Sequence, residues 1–244
     1  MPSAPTALTA IGFDADDTLW QNEHFYRLTE ERFAALLADF AEPDHLSRTL
    51  LAAERRNLGH YGFGIKGFTL SMIETAIEVT EGRVPAAVIG AILDAGREML
   101  AHPVETLPHV PETLERLAGT HPIVLITKGD LFDQERKLAQ SGLGDHFDAV
   151  EIVSDKTAAT YARVFARYEG GAGRAMMVGN SLKSDVVPAI AAGSWGVHVP
   201  HALTWALEHA EAPVTAPRFR HLAHIGELVA LVERIEDGDR GDPA

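Results

Sequence analysis

Residues 11–20 read IGFDADDTLW, so an apolar run meets three acids, Asp14, Asp16 and Asp17. Asp14 and Asp16 are two positions apart, and on extended backbone their side chains leave the same face while that of Ala15 leaves the other. Two neighbouring carboxylates repel and favour a bound cation. The chain has no cysteine, so its ligands are oxygen or imidazole. A hard ion such as Mg²⁺, held by one or two carboxylates together with water and a substrate phosphate, is the natural choice. A calcium loop is excluded: counted from Asp14, the glycine position holds Leu19 and the closing glutamate position holds Phe25. Asp17 faces away from the other two and is expected to cap the following turn.

Further chemistry stands at the ends of other apolar runs. Thr127, Lys128 and Gly129 follow IVLI, Lys156 follows VEIVSD, and Asp185 closes MMVGNSLKSD. Singly, each has a structural explanation: Thr127 as a helix cap, Lys156 as a solvated charge, Asp185 as an acid opposite a helix dipole. Together, in this order, they put a carboxylate pair, a hydroxyl, an amine and another carboxylate at strand ends, where an open parallel sheet collects its ligand-binding groups.

The elements that must position these groups have two textures. The runs TAIGFD, PIVLIT, DAVEIV, AMMVG and WGVHV alternate with amphipathic stretches such as residues 157–168, where Tyr161, Val164, Phe165 and Tyr168 share one side. Strands buried on both faces and separated by helices imply a parallel sheet with crossover connections, so the fold class is α/β. Residues 22–101 instead carry helical spacing, as in Phe25, Leu28, Phe33, Leu36, Leu37 and Phe40, and again in Val88, Ile89, Ile92, Leu93, Met99 and Leu100. Pro43, Gly59, Gly82 and Pro103 divide this block into about four helices. The expected organisation is a core from 1–20 and 104–236, a helical insert at 21–103 and a solvated tail at 237–244.

Bulk composition narrows the partners. With 244 residues, 46% hydrophobic and 23% charged, the chain can bury a sizeable core. A net charge of -14 argues against a nucleic-acid partner, and an anionic substrate then needs a local lysine or a metal ion. No apolar run reaches the roughly 18 residues of a membrane span, and MPSAPTALTA lacks a basic start and an apolar signal core, so no membrane partner and a cytoplasmic location are expected.

FDADDTL resembles the first motif of the haloacid dehalogenase-like hydrolases, Asp-x-Asp-x-Thr after an apolar strand. VLITKG resembles the second, Lys156 stands where the third places its lysine, and VGNSLKSD resembles the fourth, with Asn180 where an acid is common. The helical block resembles the cap of members with this insertion point, so the likeness spans nearly the whole chain. It implies a Rossmann-like parallel sheet core with helices on both faces, an all-α cap, and a Mg²⁺-dependent phosphatase acting on a small phosphorylated metabolite. By the same resemblance Asp14 would attack phosphorus to give an aspartyl-phosphate, and Asp16 would act as leaving-group acid and then as base. Thr127, Lys128 and Lys156 would bind the substrate, Lys156 would also pair with Asp14, and Mg²⁺ would be held by Asp14, Asp185 and the backbone carbonyl of Asp16.

Other readings share parts of this pattern. A dehalogenase uses the nucleophilic Asp but needs no acid for a halide, and Asp16 speaks against it. A phosphomutase fits the same motifs. A non-catalytic phospho-receiver or partner-binding protein also gathers acids, a Thr and a Lys, yet receivers are much shorter and lack the helical insert. At the entry to the insert, Trp20, Asn22, Glu23 and His24 follow the catalytic loop. GHYGFGIKGF, residues 59–68, is expected to be a glycine-punctuated loop with His60, Tyr61 or Lys66 as substrate contacts, or else a plain interhelical turn.

Overall fold

The apolar runs form strands: β1 (Ala10–Phe13), β2 (Ile123–Lys128), β3 (Ala149–Val153), β4 (Ala175–Gly179) and β5 (Trp195–His198). The computed structural model describes residues 7–238; of the expected tail, residues 239–244 lie outside the described residues. A further strand, β6 (Phe219–His221), was not anticipated, because a run of Phe, Arg and His is too short to show any periodicity.

All ladders are parallel, in the order β3-β2-β1-β4-β5-β6. In register, Ile11 lies opposite both Ile123 and Met176. Alternation along the strands feeds two cores. Ile11, Phe13, Leu125, Met176 and Val178 pack with the apolar stripes of α5 (Val110–Ala118) and α9 (Leu228–Glu236). Ala10, Val124, Ile126 and Met177 pack with Tyr161, Val164 and Phe165 of α7 (Ala158–Phe165) and Ala189 of α8 (Val187–Ala191). Helices therefore cover both faces, which is why the strands read as nearly continuous apolar runs. The strand order reverses between β1 and β4, and that switch point opens a crevice at the carboxyl ends of the strands.

The chain divides into two compact units, and the helical one comprises Asn22–Pro103 together with Gly129–Arg136. It contains α1 (Glu23–Leu36), α2 (Pro43–Tyr61), α3 (Ile65–Val79) and α4 (Ala86–Ala101), packed around Phe33, Leu37, Leu50, Phe68, Met72 and Ile92. Leu28, Phe40 and Leu93, although periodic with the apolar set, are exposed. Pro43 opens α2, where its missing N–H and fixed φ suit a first turn. Gly59 does not break the block as expected; it lies inside α2. The break comes at Gly62 (φ 71°) and Gly64 (φ 114°), left-handed conformations that a side chain resists. The expected loop at 59–68 is thus a short turn at 62–64, with His60 and Tyr61 ending α2 and Lys66 opening α3, where its Nζ pairs with Asp130 at 2.9 Å. The next helix, α6 (Leu131–Ser141), starts in the helical unit and belongs to the core unit from Lys137 onward. Among the described residues no helix is long and apolar enough to cross a membrane.

Candidate active site

Asp14 is the first residue beyond β1, and its N–H donates to the Val178 carbonyl at 2.9 Å. The β1–β4 ladder therefore extends one step past the strand and fixes where this carboxylate starts. Its Oδ2 accepts from Thr18 Oγ1 at 2.9 Å, and its Oδ1 accepts from the Lys156 ammonium. Lys156 Nζ also donates to Asp185 Oδ1 at 2.7 Å, and Asp185 Oδ2 accepts from the Ser181 N–H at 2.9 Å. Asp185 sits in a single π-helical turn, Leu182–Val186, in which the N–H groups of Asp185 and Val186 both reach the Ser181 carbonyl. A Cβ on Gly179 would lie 2.2 Å from Asp185 Oδ2, so only glycine lets this carboxylate lie across the end of β4.

Two carboxylates thus share one ammonium, with the side chains of Lys156 and Asp185 each 1% exposed. Burial, followed by repulsion from Asp185, pushes the Asp14 carboxyl from 3.8 up to about 7, although Lys156 pulls the other way. Burial works against the Lys156 ammonium too, but Asp14 and Asp185 more than offset it and hold its pKa above the ordinary range.

The Asp16 carboxylate has different partners. Its Oδ1 accepts from Trp20 Nε1 at 2.8 Å and from Lys137 Nζ at 2.9 Å, and its Oδ2 accepts from Lys137 Nζ at 3.1 Å. Asp14 and Asp16 each meet their own lysine, and the carboxylate that joins Asp14 around one cation is Asp185. The extended alternation ends at Asp17, which is left-handed at φ 61°. There the chain turns back, so that Asp17 N–H reaches the Trp20 carbonyl and Leu19 N–H the Ala15 carbonyl, both at 2.8 Å. The Asp17 carboxylate lies 3.6 Å from His201 Nδ1.

Thr127 is buried at the penultimate position of β2, its hydroxyl 3.4 Å from the Lys128 carbonyl. Lys128 Nζ donates to Ser184 Oγ at 2.7 Å and to Glu208 Oε1 at 2.5 Å. Glu208 Oε2 in turn accepts from Ser181 Oγ at 2.6 Å and Ser184 Oγ at 2.5 Å. Burial alone would raise the Glu208 pKa, but Lys128 and the two hydroxyls hold it below the usual range. Lys128 is therefore engaged with a carboxylate of the chain itself.

Several of these groups were not singled out from the sequence. Thr18 and Ser181 lie within the quoted motifs and were recoverable there: Thr18 Oγ1 bonds Asp14 and accepts from Asn180 N–H at 3.0 Å, tying the β1 loop to the β4 loop. Lys137 looks like any lysine on an amphipathic helix, and Glu208 lies in an irregular segment after β5. Neither carries a local signal.

The donor set suits a hard divalent cation. Among the described residues no three His, Asp or Glu side chains converge, so side chains alone offer the pair Asp14 and Asp185, and the remaining ligands must be backbone or amide oxygens and water. Asn180 Oδ1 lies 3.3 Å from Thr18 Oγ1, close to this pair. A second positive charge would relieve the repulsion that raises Asp14, and two carboxylates with neutral oxygens are a usual Mg²⁺ set.

Comparison with known proteins agrees with this architecture. Residues 8–193 match the family model described as haloacid dehalogenase-like hydrolase. A crystal structure of a haloacid dehalogenase-like family hydrolase from Xanthomonas campestris is 44% identical, covers 96% of this chain and 94% of its own, and superposes with a TM-score of 0.85. A HAD-hydrolase from Bacillus subtilis bound to magnesium is 14% identical, with 93% and 99% of the two chains covered and a TM-score of 0.63. An L-2-haloacid dehalogenase from Xanthobacter autotrophicus, with chloropropionic acid covalently bound, is 16% identical, with 93% and 98% covered and a TM-score of 0.61. The last two are likenesses of fold. No curated protein matches the sequence.

Proposed function

The chain belongs to the haloacid dehalogenase-like hydrolases, and from that premise we propose that it is a Mg²⁺-dependent phosphatase that hydrolyses a small phosphate monoester through an aspartyl-phosphate on Asp14. The observation that carries this reading is Asp16, two residues beyond the nucleophile and held by Lys137 and Trp20. An alkoxide leaving group needs a positioned acid, whereas a halide leaves without one.

In the first step a bond forms between an Asp14 carboxylate oxygen and phosphorus as the ester P–O bond breaks, and Asp16, in its protonated form, gives that proton to the departing oxygen. In the second, Asp16 takes a proton from water, the water oxygen bonds to phosphorus, and Asp14 leaves as a carboxylate. Lys156, already bonded to Asp14, opposes its protonation and aims it, and with the Thr127 hydroxyl it would bind phosphoryl oxygens. Asp14, Asp185 and the backbone carbonyl of Asp16 would hold Mg²⁺, whose charge offsets the repulsion between nucleophile and phosphoryl group.

The test is a hydrolysis screen over sugar phosphates, nucleotides and small phosphoacids with and without Mg²⁺. Mg²⁺-dependent phosphate release is expected, and Asp14→Asn should abolish it together with the trapped phosphoenzyme. Asp16→Asn should lower turnover about 10²-fold or more while still binding beryllium fluoride. Halide release from 2-haloacids without any phosphate release would overturn the reading, and phosphoryl transfer to a sugar in preference to water would make the protein a mutase.

A further inference from the structure

Lys137 belongs to none of the quoted motifs, yet its ammonium spans both oxygens of Asp16, at 2.9 and 3.1 Å. Its side chain is 8% exposed, in a helix 121 residues further along the chain. The Trp20 indole N–H also donates to Oδ1, at 2.8 Å. Trp20 is fully buried and is itself held by backbone bridges to Asp16 and Thr106.

One donor on one oxygen leaves a carboxylate free to swing about that bond. A second donor that bridges both oxygens fixes its plane. Burying an ammonium beside a carboxylate is a poor way to gain stability, because desolvation consumes much of the attraction. Orientation is what this arrangement does provide, and proton transfer depends strongly on orientation.

We propose that Lys137 is a positioning residue which, with the Trp20 indole, fixes the plane of the Asp16 carboxylate and thereby sets how well Asp16 serves esters of poor leaving groups. The proposal rests on the reading of Asp16 as the acid–base group. It concerns orientation, so its signature is dependence on the leaving group.

The experiment measures kcat and KM of the full chain with Mg²⁺ on p-nitrophenyl phosphate and on an alkyl phosphate, for wild type, Lys137→Met, Lys137→Arg and Asp16→Asn. Lys137→Met should lower kcat on the alkyl ester about 10- to 100-fold, with a much smaller loss on the nitrophenyl ester and little change in either KM. Lys137→Arg, which can also bridge a carboxylate, should recover most of the alkyl activity. Equal losses on both esters, no loss on either, or no recovery with arginine overturns the proposal. If Lys137→Met melts before assay, Lys137→Gln, which keeps one donor but not the bridge, reads the same contrast. Asp16→Asn separates the two levels of inference. Without a leaving-group contrast there, the acid–base reading itself fails; a contrast in Asp16→Asn beside none in Lys137→Met removes only the role of Lys137.

Discussion

Asp14 is held in a state that costs the metal-free protein stability. Its native pKa of about 7 exceeds the 3.8 of an ordinary carboxyl, so between those values the native state binds more protons than the unfolded one. Stability therefore falls as pH rises through that window, and the penalty is complete above it. Asp14→Asn removes one of the two carboxylates that share Lys156 and leaves a balanced pair with Asp185. In chelator at pH 8 this variant should melt at least a few degrees above wild type, since about 1 kcal/mol moves Tm by about 2–4 °C at this size. The gap should close near pH 4, where wild-type Asp14 is protonated. Added Mg²⁺ should raise the wild-type Tm at pH 8 and do much less for Asp14→Asn. Thermal melts at the two pH values check both points, and a lower Tm for Asp14→Asn at pH 8 would contradict the charge imbalance. Asp14 and Asp185 announce themselves in the sequence as strand-end acids. That they share a charge does not, because 171 positions separate them and only the β1–β4 switch point brings them together.

At the scale of elements, the π-helical turn that carries Asp185 is held from outside by Glu208. One carboxylate accepts from Ser181, which caps that turn, from Ser184 within it and from Lys128 at the end of β2, so it joins two strand ends. Glu208→Ala removes one acceptor from an ammonium and from each of two hydroxyls, and should cost about 2 kcal/mol in denaturant unfolding. Glu208→Gln keeps an acceptor for the hydroxyls and should cost less, and equal stability of all three proteins would show that the turn holds itself. The elements were unevenly legible. Runs buried on both faces read plainly as strands, but β6 is too short to carry a pattern, and the break in the helical block fell at Gly62 and Gly64, where φ is positive, and not at Gly59, where α2 simply continues.

Over the whole molecule the charge of -14 opposes the approach of a phosphate dianion, while the local cations Lys156 and Lys128 are already paired. Raising ionic strength from about 10 mM to 150 mM shortens the Debye length from about 30 Å to about 8 Å, so kcat/KM for a dianionic ester should rise a few-fold with kcat nearly unchanged. Rates on the same ester at both salt concentrations test this, and a fall in kcat/KM would mean that local positive potential dominates over net charge. By itself the sequence determined the α/β class, the helical insert after the first strand, and the strand ends at which Asp14, Thr127, Lys156 and Asp185 stand. These follow from local physics: a strand covered on both faces is mostly apolar, and polar residues gather where it leaves the sheet, at Asp14 after β1 and from Asn180 onward after β4. Tertiary structure alone decided the pairings. Beyond the Lys156–Asp14 pair, which the family resemblance already implied, Lys137 meets Asp16 across 121 positions and Thr18 meets Asn180 across 162. Such contacts depend on strand order and on a left-handed residue at Asp17 that turns the loop back, and no periodicity within a single segment encodes either.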